Sequence, residues 1–162
     1  MANIYEFGFK TIGGEAKTFA DYKGRAVLVV NVASKCGLTP QYKGLEALHE
    51  KYAAKGLSVV GFPANEFGAQ EPGSDAQISE FCTTNSGVKF DMMSKVVVKG
   101  AGIHPLFAYL TGKDTNPEFA GDIKWNFNKF LIGKDGKVLA RFEPTVEPTA
   151  PEVAQAIEKA LG

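Results

Sequence analysis

Residues Ala26-Val27-Leu28-Val29-Val30-Asn31-Val32 form a near-continuous aliphatic run, rich in β-branched side chains. A strand with one wet face alternates apolar and polar residues. This run hardly alternates, which predicts a strand buried on both faces of a sheet. Such a sheet needs helices to cover it, and the chain supplies one at once. Between Gln41 and Lys55 the apolar residues Leu45, Leu48 and Tyr52 recur at helical spacing, with charged residues on the other face. Gly56 stops that helix, and Leu57 to Phe62 reads as a second buried strand. A β-loop-α-β unit of this kind requires parallel strands and a right-handed crossover.

The flanking segments extend the sheet. Ile4 to Phe9 and Ala16 to Phe19 flank Gly13-Gly14 and read as an N-terminal β-hairpin. Ser74 opens a second helix, with Gln77 placed to complete a capping box and Ile78, Phe81 and Cys82 on its apolar side. Val96 to Val98 reads as a short strand, and His104 to Leu110 as a short helix with Pro105 near its start. Asn126 to Gly133 and Val138 to Phe142 flank Asp135-Gly136, a strong hairpin signal, and Pro151 to Leu161 is a last amphipathic helix. The order predicts an α/β fold over residues 1–162 as one domain. Its layout is thioredoxin-like: a central mixed β-sheet flanked by helices, with an extra N-terminal β-hairpin.

Eighteen basic residues balance eighteen acidic ones, so no overall field draws the chain to nucleic acid or to an anionic membrane. The longest apolar stretch, Ala26 to Val30, is far too short to span a bilayer. Met1 to Lys10 mixes Glu6 and Lys10 with apolar residues, unlike a secretory leader, and a cytoplasmic protein is expected. His49 and His104 share no metal-ligand spacing, and neither a zinc pattern nor a phosphate-binding glycine loop occurs. No cofactor is expected.

The chemistry then rests on two cysteines, Cys36 and Cys82. In a reducing compartment such a pair is rarely a permanent bridge, so each is either an inert buried residue or a redox-active one. Cys36 lies just past the carboxyl end of the first core strand and before a helix, in the crevice where α/β sheets collect function. Unpaired N–H groups at a helix start favour a thiolate over a thiol, and Lys35 adds a neighbouring cation. A thiolate attacks peroxide oxygen and becomes a sulfenic acid. Position 39, three residues after Cys36, holds Thr39, so the dithiol exchange of a Cys-x-x-Cys motif is closed to this chain.

Three longer motifs carry a family resemblance. They are Asn31-Val32-Ala33-Ser34-Lys35-Cys36-Gly37-Leu38-Thr39-Pro40-Gln41-Tyr42, the stretch from Gly61-Phe62-Pro63-Ala64-Asn65-Glu66-Phe67 through Gly68-Ala69-Gln70-Glu71-Pro72-Gly73, and Lys124-Trp125-Asn126-Phe127. In this order, and spread over nearly the whole chain, they resemble the signatures of the glutathione peroxidases. The resemblance implies a peroxidase acting on hydrogen peroxide and organic hydroperoxides. It makes Cys36 the attacking residue and Gln70, Trp125 and Asn126 the other members of a catalytic tetrad. The two amides and the indole N–H are all donors that can stabilise a thiolate and the charge shifting onto peroxide oxygen. Asn65 would shape the site through loop hydrogen bonds.

Many bacterial and plant members of that family carry a second cysteine in the helix after the Gln-Glu-Pro-Gly motif. Cys82, in Phe81-Cys82-Thr83-Thr84, resembles that resolving cysteine. Its helix would have to unwind locally, at the polar run from Thr83 to Gly87, to bring it to Cys36. The implied reductant is thioredoxin rather than glutathione. A peroxide sensor or redox relay, passing oxidation to a partner protein, shares the same first step. The chain departs from the family pattern at Ala64, where many non-animal members have a cysteine, and at Glu66, where Gln is usual and a charge facing the site would oppose the thiolate. The segment between Leu106 and Trp125 is short compared with tetrameric animal members, which implies a monomer with an open site.

Overall fold

The computed structural model describes residues 3–162, with the backbone alone at 85 and 86; Met1 and Ala2, at the head of the stretch read for a leader, lie outside it. The core strand forms as its sequence dictates: β3 spans Ala26–Val32 and all seven residues are buried. After it come α1 (Gln41–Tyr52) and β4 (Leu57–Pro63). β4 pairs with β3 in parallel, from Ala26 opposite Leu57 to Val32 opposite Pro63. Gly56 ends the helical stretch at φ +111, a left-handed conformation that side chains resist.

The remaining elements are β1 (Gly8–Lys10), β2 (Ala16–Thr18), α2 (Asp75–Ser86), β5 (Asp91–Met92), α3 (Pro105–Thr111), β6 (Lys129–Ile132), β7 (Val138–Phe142) and α4 (Pro151–Leu161). β1 and β2 pair only with each other, as the expected N-terminal hairpin. The main sheet has the order β5-β4-β3-β6-β7, with β5, β4 and β3 parallel and β6 and β7 antiparallel. This is the thioredoxin-like mixed sheet that the sequence predicts. Apolar clusters cover both faces. One joins Leu28, Val30, Leu45, Tyr52, Val153 and Ile157, and the other joins Val27, Val29, Phe62, Phe107 and Phe130.

Two expectations need correction. Val96 to Val98 is not a strand. Val96 N–H donates to the Pro63 carbonyl at 2.9 Å, but Val98 N–H donates to the Glu66 carboxylate at 2.6 Å, which takes that donor out of any ladder. The strand at this edge is the two-residue β5 instead. The strand expected from Asn126 begins only at Lys129, because Phe127 holds a positive φ of 68° that no strand accepts.

Candidate active site

The sheet topology brings the predicted residues to one edge. Cys36 follows the carboxyl end of β3, and Gln70 follows the carboxyl end of β4 beside it. β6 runs antiparallel to β3, with Lys129 opposite Val30, so the residues just before β6 lie at the same end. Trp125 and Asn126 occupy that segment.

Cys36 does not stand directly at the helix start. α1 begins at Gln41, and residues 36–40 form a tight turn in which Thr39 N–H donates to the Cys36 carbonyl at 3.0 Å. The Cys36 sulfur therefore takes its stabilisation from a nearer donor: Leu38 N–H points at Sγ from 3.3 Å. Thr39 has the role that a second cysteine cannot play here. Its hydroxyl donates to the Ala33 carbonyl at 2.8 Å and accepts Cys36 N–H at 2.9 Å, which locks the turn that presents the thiol. The thiol itself is 7% exposed. Lys35 points to solvent, and its N–H donates to the Gln70 carbonyl at 3.0 Å, tying the two loops together.

On the other loop, Asn126 is fully buried and its Nδ2 donates to Gln70 Oε1 at 3.0 Å. Asn126 Oδ1 meets no donor among the described residues. Trp125 is 37% exposed and lies against Phe67, with ring centroids 5.9 Å apart. It passes so close to Gly68 that a Cβ there would sit 3.1 Å from the indole, and Gly68 has a φ of +66°. Asn65 Oδ1 accepts Glu71 N–H at 2.9 Å, the loop role expected of it. The Glu66 carboxylate, bonded to Val98, is turned away from any part in opposing the thiolate. Ala64 is buried packing.

Sequence reasoning passed over Asn31. Its carbonyl accepts Phe127 N–H at 2.6 Å, and its side chain donates to the Trp125 carbonyl at 3.1 Å. One β3 residue thus grips the backbone on both sides of Asn126 and holds Phe127 in its strained conformation. An asparagine interrupting a run of valines was the available signal.

Cys82 is buried on α2, and both cysteines are free thiols. Burial pushes the Cys82 thiol up; the Tyr42 hydroxyl pulls it down and Glu71 pushes it up again. A cleft of about 380 Å³ runs alongside, lined by Ser34, Lys35, Glu71, Pro72, Ile78 and Phe81 among others. It connects the loop carrying Cys36 with the helix carrying Cys82. Among the described residues, no three His, Cys, Asp or Glu side chains converge to hold a metal. No helix among them is long and apolar enough to cross a membrane.

Comparison with known proteins decides the family. Residues 4–111 match the family model of the glutathione peroxidases. This chain belongs to that family. A glutathione peroxidase of Lactococcus lactis subsp. cremoris (strain MG1363) is 47% identical over 159 residues, covering 98% of this chain and 99% of the relative. The thioredoxin/glutathione peroxidase BtuE of Escherichia coli (strain K12) is 44% identical over 171 residues, with 94% and 93% covered. The crystal structure of Trgpx in its apo form superposes with a TM-score of 0.78 at 35% identity, over 99% of this chain and 95% of that one. As a glutathione peroxidase the chain is a thiol-dependent peroxidase. The shared extent reaches from the N-terminal hairpin through α4, and so takes in every residue of the candidate site.

Proposed function

We propose that this glutathione peroxidase reduces hydrogen peroxide and organic hydroperoxides through Cys36, that Cys82 resolves the product, and that thioredoxin recycles the enzyme. The supporting observation is the convergence of Cys36, Gln70 and Asn126 at one sheet edge, with backbone N–H of Leu38 already directed at the sulfur. The Cys36 thiolate attacks the terminal peroxide oxygen. A sulfur–oxygen bond forms, the oxygen–oxygen bond breaks, and the departing alkoxide takes a proton to leave as alcohol, or as water from hydrogen peroxide. Sulfur is oxidised by two electrons to the sulfenic acid, and the peroxide is reduced by the same two. Gln70, Asn126 and the Trp125 indole are the donors that stabilise charge during this step.

In the second step the Cys82 sulfur attacks the Cys36 sulfur, the sulfur–oxygen bond breaks, and hydroxide leaves as water. Thioredoxin then reduces the disulfide. The name of the Escherichia coli relative couples thioredoxin to this family, and it supports that choice of reductant. We take the enzyme to work as a single-domain monomer in the cytoplasm, with the exposed Trp125 and the open cleft accessible to a protein reductant.

Reduced protein treated with one equivalent of hydrogen peroxide and mapped by mass spectrometry tests the scheme. A Cys36–Cys82 disulfide that thioredoxin reduces is the expected product. A stable sulfenic acid or glutathione adduct on Cys36, with Cys82 free, would overturn the resolving role. An unreacted Cys36 would overturn the attack itself.

A further inference from the structure

The cleft beside Cys36 has a polar floor that the peroxidase step does not use. Glu71 is 1% exposed, and neither of its carboxylate oxygens makes a hydrogen bond of ordinary geometry among the described residues. The same holds for the hydroxyls of Tyr42, fully buried, and of Ser34. Buried polar groups are rarely left so, because each forfeits its hydration without recompense. These three groups converge on one place. Lys35 N–H bonds the Gln70 carbonyl and sets Glu71 beside Ser34, the Tyr42 ring lies 6.4 Å from Phe81, and Ile78 and Phe81 of α2 line the cleft with Glu71. Cys82 stands one helical turn beyond Ile78, on the same face. Its thiol is 2% exposed.

The groups act on one another's protons. Burial raises Tyr42 well above its ordinary range, and the neighbouring Cys82 and then Glu71 add to this. Burial also raises Glu71, against the pull of Ser34, Lys95 and Lys35. On the opposite side Cys82 borders a second cavity that includes Lys17 of β2 and Asp91 of β5. Those two are paired with each other at 3.6 Å, so they leave little net charge for Cys82.

We propose that Glu71 is a positioning residue for the resolving step: with α2 closed, its carboxylate keeps Cys82 a thiol, and opening of α2 carries Cys82 out of that field so that it can ionise and attack. This rests on the resolving role given to Cys82 above. The consequence is a division of labour between two cysteines in one small protein. Cys36 meets peroxide under the N–H of Leu38, while Cys82 is held unreactive toward peroxide until the helix releases it. The chemistry balances as before. The Cys82 proton passes to solvent on opening, a sulfur–sulfur bond replaces the sulfur–oxygen bond of Cys36, and the released hydroxide becomes water.

The test uses the full chain with Cys36→Ser, which leaves Cys82 as the only cysteine. The NMR shift of the isotope-labelled Cys82 Cβ, followed against pH, reads its protonation directly. Glu71→Gln keeps the size and removes the charge; it is expected to lower the Cys82 midpoint by about one pH unit. Tyr42→Phe removes the one group that pulls the thiol down, and is expected to raise the midpoint. Opposite signs are the signature, since mere loosening of the packing would lower both. An unmoved midpoint in Glu71→Gln, or a lowered one in both variants, would overturn the role of Glu71. Peroxide treatment of the cysteine-intact protein separates the two layers. No Cys36–Cys82 disulfide there overturns the resolving reading, whereas a normal disulfide with an unmoved titration overturns only the assignment of Glu71.

Discussion

Asn31 shows how much of a site's precision sits in residues that never meet the substrate. Its side chain and its carbonyl hold Trp125 and Phe127, and the amide of Asn126 is aimed between them at Gln70. Without the side-chain bond, the left-handed Phe127 loses part of what holds it there, and the segment can relax by the small distance that separates a donor in place from one out of reach. Asn31→Ala is expected to slow oxidation of Cys36 by about a hundredfold while the protein stays folded. Single-turnover mixing with hydrogen peroxide, followed by the fluorescence of the one tryptophan, Trp125, gives the rate. A wild-type rate in a folded variant would show that β6 and the Phe127 ring, packed edge-on at 5.5 Å against Tyr42, position Asn126 unaided.

Among the elements, α2 is built unequally at its two ends. Its start is fastened by the Ser74–Gln77 capping box and by Asp75, whose carboxylate accepts from the Ser94 hydroxyl and from Lys95 N–H. Lys95 Nζ donates to the Glu71 and Gly73 carbonyls at 3.0 and 2.6 Å, which fixes the loop leading in. Beyond the helix, Glu46 accepts Lys89 N–H at 2.7 Å and Phe90 N–H at 3.3 Å, so the chain is fastened again as it approaches β5. The stretch between these anchors contains Cys82, the exposed Thr83 and Thr84, and a left-handed Gly87 cap. Threonine is a poor helix former, and Thr83 also bends its hydroxyl back to the Ser79 carbonyl at 2.9 Å. Opening is thereby confined to the segment that carries the thiol. Replacing both threonines with alanine should stabilise the closed helix by about 1 kcal/mol and cut the open population about fivefold. Stopped-flow measurement of Cys36–Cys82 disulfide formation should slow by that factor, with the peroxide step unchanged. An unchanged disulfide rate would mean that resolution needs no opening of α2.

At the scale of the whole molecule, the sheet and its helices could be read from sequence wherever one local pattern dominated. The valine run gave β3, the capping box gave the start of α2, and Asp135-Gly136 gave the turn between β6 and β7. Reading failed where a distant side chain decided the matter. Glu66 captures Val98 N–H and dissolves a strand that three valines predict, and Phe127 shortens β6 from outside it. Cys36, Gln70, Trp125 and Asn126 were legible because motif residues cluster in sequence around strand ends. Asn31, Tyr42 and Glu71 were not, because their roles exist only once β3, α1 and the loop after β4 are packed together.

Lys129 is the same kind of residue, with a consequence for the stability of the entire fold. It is a lysine with no exposed surface, on a strand whose four residues are all buried. Its ammonium donates to the carbonyls of Pro144 at 3.0 Å and Val146 at 2.5 Å, and Gln41 Nε2 donates to the same Pro144 carbonyl at 2.8 Å. β6, the loop after β7 and the start of α1 therefore meet at one buried charge. Burial pushes Lys129 down to about 8, with Glu147 opposing, while the unfolded chain keeps the ordinary value of about 10.4. Between those values the unfolded state binds more protons than the native state, so this group makes stability rise with pH there. Below that window its burial cost is fully present, offset by the carbonyls that the ammonium satisfies. The window corresponds to at most about 3 kcal/mol. Lys129→Met removes the titration and leaves the other groups in place. Urea unfolding of both proteins at a series of pH values should show wild type gaining on the variant as pH rises from 8 toward 10, whatever the offset between them at neutrality. A constant offset across that range would mean that the ring of carbonyls holds the ammonium charged in the native state as firmly as water does in the unfolded one.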